Sequence, residues 1–479
     1  MNTFQRLTSN TLLAFVSTAM VKVSNSILFI IVGRTINPQE AGSLNLGITY
    51  FTIVMALSTW GLHELLVREA APRRQESGRY FINYLTMRLI LTTGFYGLLL
   101  LFLRLNLPYS TNTKFVIQII GLAAFSEAVF SLCQALFTAY EELIIPTIGA
   151  TINSTVTLAV GAWFLYKGGT VTAVAWAIPI GSIAGIIIFL PALFRLFRKT
   201  PQTAPMLLSW SFSREQLRST PGFILLGIFS TLNFQADTFL ISLFMNEANI
   251  GYYGAAQTIL MGFLMAPNAI RTSLYPLMAR YKQQSPPKLI QLYYKSNQYL
   301  LISVLPIAAG ITILANPIIR LVFGNSFGPA VNALQVSIWA IPFLFITVPP
   351  ARLMLVYNHQ QAAGWIRGLG MLMSVGLNLW LIPQYGIIGA SIARVLASAT
   401  YFCLIYLFVQ VNILKDNLPK LITRPILATV IMAVAVWPLR QMFILWPIIV
   451  GIVVYSVSIY LLKVITFEDQ YYLKQLLNR

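Results

Sequence analysis

Lys22, Arg88, Arg271, Arg352, Arg367 and Arg394 stand inside stretches that are otherwise apolar, and only two acids, Glu127 and Asp237, sit at comparable depth. A cation held in hydrocarbon costs about 3 kcal/mol on insertion scales. Arg352 and Arg367 lie near expected helix ends, from which a long side chain reaches the interface at little cost. Two acids cannot neutralise the other four cations, Lys22, Arg88, Arg271 and Arg394, so a surplus of about two, roughly 6 kcal/mol, is left without an internal partner. Facing a water-filled cavity lowers that cost, and an anionic ligand lowers it further. The chemistry these residues offer is therefore recognition of negative charge at membrane depth.

Bond-making chemistry has little to work with. The two histidines, His63 and His359, fall beside expected loops and read as solvated side chains. Cys133 and Cys403 lie in apolar segments and read as small buried hydrophobes, with no metal spacing and no disulfide framework. Glu141 and Glu142 are adjacent, so on a helix their carboxylates point apart. Neither a phosphate-binding Walker loop nor a Gly-rich dinucleotide fingerprint is found. The expectation is a protein that is not an enzyme and that has no cofactor and no metal.

The elements that must position the buried charge are membrane helices. Of the 479 residues 57% are hydrophobic and 9% charged, against about 25% charged in a soluble domain, and the mean hydropathy is +0.74. The apolar runs predict an all-α integral membrane protein of about fourteen spans, at roughly 11–33, 41–61, 81–105, 114–139, 144–166, 170–194, 219–244, 252–279, 297–323, 330–356, 361–383, 386–410, 421–440 and 443–463. The first reads as a retained helix, not a cleaved signal peptide. The pairs 144–166/170–194 and 361–383/386–410 read as hairpins, with Lys167-Gly168-Gly169 and Pro383-Gln384-Tyr385-Gly386 as turns. The pairs Gly181/Gly185 and Gly364/Gly368 read as helix-packing signals.

Charge orients the set. If both termini share one side, that side collects 20 of the 32 Lys and Arg and the other side 6, which makes the first side cytoplasmic. The net charge of +19 is then topology signal facing an anionic leaflet, and no nucleic acid is needed to explain it. The longest polar interruption, 199–218, predicts a cytoplasmic linker in which Ser213 and Gln216 resemble a capping box. It separates 1–198 from 219–412, two six-helix lobes, and 413–479 remains as a helix pair with its tail.

A weak internal repeat supports the two lobes. Asn37 through Gly42 follows the first span, and Asn246 through Gly251 follows the seventh with the same Asn-x4-Gly spacing. Tyr140-Glu141-Glu142 precedes the fifth span as Tyr357-Asn358-His359 precedes the eleventh. Six spans per half put the pseudo-axis along the membrane normal. The repeat also aligns polarity. Thr18, Lys22, Asn25 and Ser26 share one helical face of the first span, and Thr231, Asn233 and Gln235, with Asp237 just beyond, occupy the equivalent place in the seventh. In lipid such residues face the bundle or water. For the Ser and Thr residues interhelical bonding is the favoured reading, and for Lys22 and Asp237 cavity lining. Asp237, and with it Glu127, serves either to bind a coupling ion or to pair with a cavity cation.

Several stretches resemble the polysaccharide flippases of the multidrug/oligosaccharidyl-lipid/polysaccharide exporter superfamily. They are Val32-Gly33-Arg34, Gly42, and Gly61 through Glu69; Ala236-Asp237 with Ile250 through Ala256; Val322 through Phe327; and Leu377 through Ala393. They spread over about residues 10–410. The resemblance implies two six-helix lobes around a central cavity, alternating access, and a polyprenyl-diphosphate-linked oligosaccharide as partner in a bacterial cytoplasmic membrane. Membrane lipids, and H⁺ or Na⁺ as coupling ion, are the other expected partners. The alternatives are a drug or organic-cation antiporter of the same superfamily, which would favour excess carboxylates, and a flippase for a peptidoglycan lipid precursor. A membrane-bound glycan polymerase would need a large outer loop, and every outer loop expected here is short. The last two spans lie outside the repeat and resemble the extra pair of the lipid-flipping branches. Trp437, Pro438, Trp446 and Pro447 bracket their turn as interfacial anchors.

Overall fold

The structure is a computed structural model that describes residues 20–21, 23–200, 208–209, 221–263, 265–415 and 418–464. Every regular element among them is helical. In chain order they are α1 (Val23–Thr35), α2 (Pro38–Thr59), α3 (Leu62–Ala70), α4 (Ser77–Leu103), α5 (Thr111–Ala139), α6 (Ile144–Tyr166), α7 (Val171–Ala175), α8 (Ala177–Lys199), α9 (Pro221–Phe244), α10 (Glu247–Phe263), α11 (Met265–Gln284), α12 (Pro286–Phe323), α13 (Ala330–Ser337), α14 (Ala340–Ile346), α15 (Val348–Val356), α16 (Gln360–Asn412), α17 (Leu418–Val436) and α18 (Leu445–Leu461). Nine helical stretches among the described residues are long and apolar enough to cross a membrane. Fourteen were expected. The 53-residue α16 holds two of those spans, while α1 and α18 are apolar but shorter. The linker 199–218, with Ser213 and Gln216, lies largely outside the described residues.

Proline explains where expected spans are broken. A proline removes its own N–H and clashes with the carbonyl four residues back. Pro179 therefore ends α7 at Ala175, and the expected span 170–194 becomes two helices. Pro342 acts on Ile338, and Pro349 and Pro350 act on Phe345 and Ile346. The expected span 330–356 accordingly becomes α13, α14 and α15.

The chain divides into two compact units, 1–254 and 255–479. In the first, α5 packs against α2, α3, α4 and α8, and Leu132, Leu136 and Phe137 of α5 are fully buried. The hairpin α6/α8 turns at Gly168, whose φ of 71° suits glycine. Its arms meet through glycine, as expected for Gly181 and Gly185. A Cβ on Gly181 would run into Thr157 Oγ1, and one on Gly185 would lie 3.0 Å from the Gly149 carbonyl.

In the second unit, α16 reverses at Gly386, where φ is 58°. A Cβ on Gly389 would run into the Leu381 carbonyl, which is possible only because the chain doubles back there. The arms touch at Gly370 and Tyr401. Gly368 does not act as the packing residue expected of it, since a Cβ there would meet nothing within 4 Å. The last two helices, α17 and α18, bury Ala428, Met432, Val436, Tyr455 and Ile459 with Ala309 of α12. The Tyr455 hydroxyl donates to the Ile302 carbonyl at 2.7 Å.

Both halves of the sequence repeat are physical. Asn37 Oδ1 accepts the Glu40 N–H at 2.8 Å and Asn246 Oδ1 the Asn249 N–H at 3.2 Å, so each Asn caps the helix it precedes. At the second motif, Glu141 (φ 64°) and Asn358 (φ 62°) are both left-handed. Glu142 N–H donates to the Phe137 carbonyl as His359 N–H donates to that of Met354, and each closes its helix in the same way.

Candidate functional site

Arg88 is among the largest fully buried side chains of the described residues, 1% exposed in the middle of α4. Its Nη2 donates to Thr59 Oγ1 at 3.0 Å. Its Nε and Nη1, and Thr92 Oγ1 one turn further on, have no hydrogen-bond partner among the described residues. The acids acting on it are Glu127 of α5 and Glu64 of α3, yet neither forms an ion pair with it within 4.0 Å. Nearby, Glu69 pairs with Arg68 and Arg73. A buried guanidinium with donors to spare is energetically costly, because removing it from water costs more than one neutral hydrogen bond returns.

Around it α3 leans on α5, and His63 is drawn in. The ring is half-buried, with Nδ1 3.0 Å from the Ser131 carbonyl. This corrects the reading of His63 as a solvated loop residue. His359 likewise packs its ring on Phe408, with centroids 5.2 Å apart. Cys133 is buried as expected, whereas Cys403 is exposed.

The other expected site residues fall as follows. Lys22 lies outside the described residues, as do the side chains of Thr231 and Arg271, whose backbones are helical. Asn25 and Ser26 are half-buried on α1, and Asn233 and Gln235 half-buried on α9. Asp237 is fully buried and accepts the Tyr253 hydroxyl at 2.6 Å. In the second unit Arg394 is 5% exposed on the second arm of α16, whose buried polar residues also include Ser374, Asn378, Ser391 and Ser398. Arg352 is half-buried with its guanidinium 6.0 Å from the Tyr275 ring centroid, and Arg367 is half-buried.

A second polar cluster escaped the sequence reading. Glu247, buried at the start of α10, accepts the Ser110 N–H at 2.7 Å and the Thr113 hydroxyl at 3.0 Å. Thr113 and Ser43 hydroxyls lie 2.7 Å apart, as do those of Tyr109 and Ser242. Burial pushes the Glu247 carboxyl up, but bonds from Ser110, Thr113 and its own backbone N–H together hold it below the usual carboxylate range. The signal available was an acid directly after the capping Asn246.

The model of the polysaccharide biosynthesis protein family matches residues 7–282, more than half of the chain. The chain belongs to that family. A curated relative, the probable low-salt glycan biosynthesis flippase Agl15 of Haloferax volcanii, is 22% identical over 164 residues. The match spans only about a third of either protein, 34% of this chain and 35% of the relative. Among solved structures, lipid II flippase MurJ in an inward closed conformation is similar with a TM-score of 0.72 at 15% identity, covering 94% of this chain and 98% of that one. An inward-facing multidrug resistance MATE family transporter of the MOP superfamily gives 0.69 at 14% identity, covering 85% and 99%. A MOP superfamily transporter from Pyrococcus furiosus gives 0.57 at 13% identity, covering 85% and 95%. The fold is thus the one seen in these transporter structures, as the resemblance implied.

Proposed function

We propose that this chain is a flippase that moves a polyprenyl-diphosphate-linked oligosaccharide from the inner to the outer leaflet of the cytoplasmic membrane by alternating access. The observation that carries the reading is Arg88, a fully buried guanidinium with unused donors in a chain of the polysaccharide biosynthesis family. A diphosphate is the anion that such a donor set suits, since guanidinium and phosphate oxygens pair with strong charge-assisted bonds. Lys22, Arg271 and Arg394 complete the proposed cation set. The relative's name, a glycan biosynthesis flippase, points the same way. We read 1–198 and 219–412 as the two lobes, with both termini cytoplasmic. An inside-negative potential then drives an anion outward by about 2.3 kcal/mol per charge per 100 mV. Asp237 and Glu127 are assigned to ion coupling, by H⁺ or Na⁺, or to charge pairing.

The helix pair α17/α18 takes the lipid tail in this reading. An apolar groove of about 370 Å³ lies between α17 and α12, lined by Ala309, Thr312, Ile313, Trp339, Ala433, Val434 and Trp437. Truncation after residue 415 is expected to impair transport of long-chain polyprenyl substrates while the rest inserts stably.

A peptidoglycan lipid precursor presents the same diphosphate and is favoured by the breadth of the match to the lipid II flippase fold. Complementation decides between the readings. The protein is expressed in strains lacking either a surface-glycan flippase or the lipid II flippase, beside drug-resistance assays. Rescue of the glycan strain alone is expected, and drug resistance without rescue would reject the proposal.

A further inference from the structure

The two Asn-x4-Gly motifs do more than cap their helices, because they meet each other. A Cβ on Gly42 would run into the Glu247 carbonyl and lie 2.9 Å from the Gly251 nitrogen. A Cβ on Gly251 would run into the Pro38 carbonyl and lie 3.2 Å from the Gly42 nitrogen. The contact is reciprocal: Pro38 is to Gly251 as Glu247 is to Gly42, with the same sequence shift in both directions. Such a self-complementary contact is what a two-fold axis between duplicated elements generates. Only glycine at both positions allows backbones this close.

Side chains tie the crossing from one repeat to the other. Glu247 and Ser242, at the α9–α10 corner of the second repeat, bond to Ser110, Thr113 and Tyr109 at the start of α5 in the first. Asn45 of α2 reaches the Ile250 carbonyl at 3.5 Å. The Asn112 amide on Glu40 at 3.2 Å, itself joined by the Thr172 hydroxyl, extends the cluster to the start of α7. The distribution of Lys and Arg puts all these helix starts on the outer side.

We propose that the Gly42–Gly251 crossing is the outer gate of the transporter and that Glu247 is its latch. The proposal rests on the transport reading but not on the cargo. Closure is held by backbone contact without side chains in between, so the gate seals without a plug. Opening must break the Glu247 bonds to Ser110 and Thr113 together.

The test uses the full-length protein with Cys133→Ala and Cys403→Ser, reconstituted in vesicles. Thr113→Cys with Glu247→Cys, bridged by a short bis-methanethiosulfonate, spans the two repeats. Ser77→Cys with Tyr140→Cys, bridged in the same way, stays within the first and away from the crossing. Bridging the first pair is expected to cut transport about tenfold or more, the population shift that locking one of two states imposes, with recovery on reduction. Bridging the second should leave the rate unchanged. Independently, Gly42→Ala and Glu247→Gln should each raise labelling of Asn233→Cys by an impermeant maleimide from the outer side severalfold. Unchanged transport in the bridged 113/247 protein, or labelling unmoved by both substitutions, would overturn the gate. Labelling and locking that behave as expected without any glycan movement would leave the gate standing and remove the proposed cargo instead.

Discussion

The corners at Leu136–Glu142 and Leu353–His359 have little sequence in common and nearly the same backbone. Tyrosine is followed by a left-handed residue, and the same three carbonyls are satisfied in the same order. The buried charge does not repeat. The first unit seals Arg88 into α4 against Thr59, with acids on α3 and α5 as its electrostatic neighbours. The second unit carries Arg394 on the far arm of a hairpin whose other buried polar residues are serines and an asparagine. The corner backbone recurs in both halves, while the buried charges differ between them. A diphosphate-linked sugar is itself asymmetric and would need different partners at its two ends.

The sharpest way to break that comparison is to remove the unmatched charge. Arg88→Met is expected to lower export about a hundredfold or more, since a buried charge-assisted contact carries several kcal/mol, while immunoblots show normal insertion. Arg88→Lys should be nearly as severe, because an ammonium cannot offer the planar fork. Export near wild type in both would take Arg88 out of the transport path.

Next come the hairpins. Gly181→Val should destabilise the protein by about 1–3 kcal/mol through overpacking. Gly368→Ala, at a helical site with open space, should be neutral or gain up to about 1 kcal/mol. Thermal melts in detergent compare the two directly.

Acid should loosen the Glu247 cluster. Its folded carboxyl lies below the usual range, so its contribution is complete at neutral pH and is lost only as pH falls from the ordinary carboxylate value through the lower folded one. Glu247→Gln should flatten that part of the stability–pH curve, and an unchanged curve would count against the assignment.

The smallest effect separates the corners. Glu141→Gly should stabilise by about 1 kcal/mol, because a left-handed non-glycine residue carries that cost. Asn358→Gly should change less, since asparagine tolerates the conformation.

Much of the scaffold was legible because it is local. The span expected at 144–166 is α6 residue for residue, and both hairpin turns fall at the glycines that mark them. The broken helices were missed because hydropathy averages over a window, whereas one proline acts on one carbonyl four residues back. For the site, buried cations could be seen as an energetic problem. Their partners could not, because Thr59 and Arg88, or Asp237 and Tyr253, become neighbours only through packing. The Glu247 cluster was harder still. Ser43, Tyr109, Thr113 and Ser242 look like ordinary helix-end residues until four distant segments converge.

The α6/α8 hairpin, with its two-glycine turn, can assemble as soon as both arms leave the ribosome, because its contacts are local. The Gly42–Gly251 contact must wait for some two hundred further residues, which at 5–20 residues per second is about 10–40 s. For that interval the start of α2 has its glycine face and the Ser43–Thr113 hydroxyls in place but no second repeat to close on. The repeats therefore find each other only about half-way through synthesis, and a chain stalled before residue 247 would present a half-built polar edge to the outer surface.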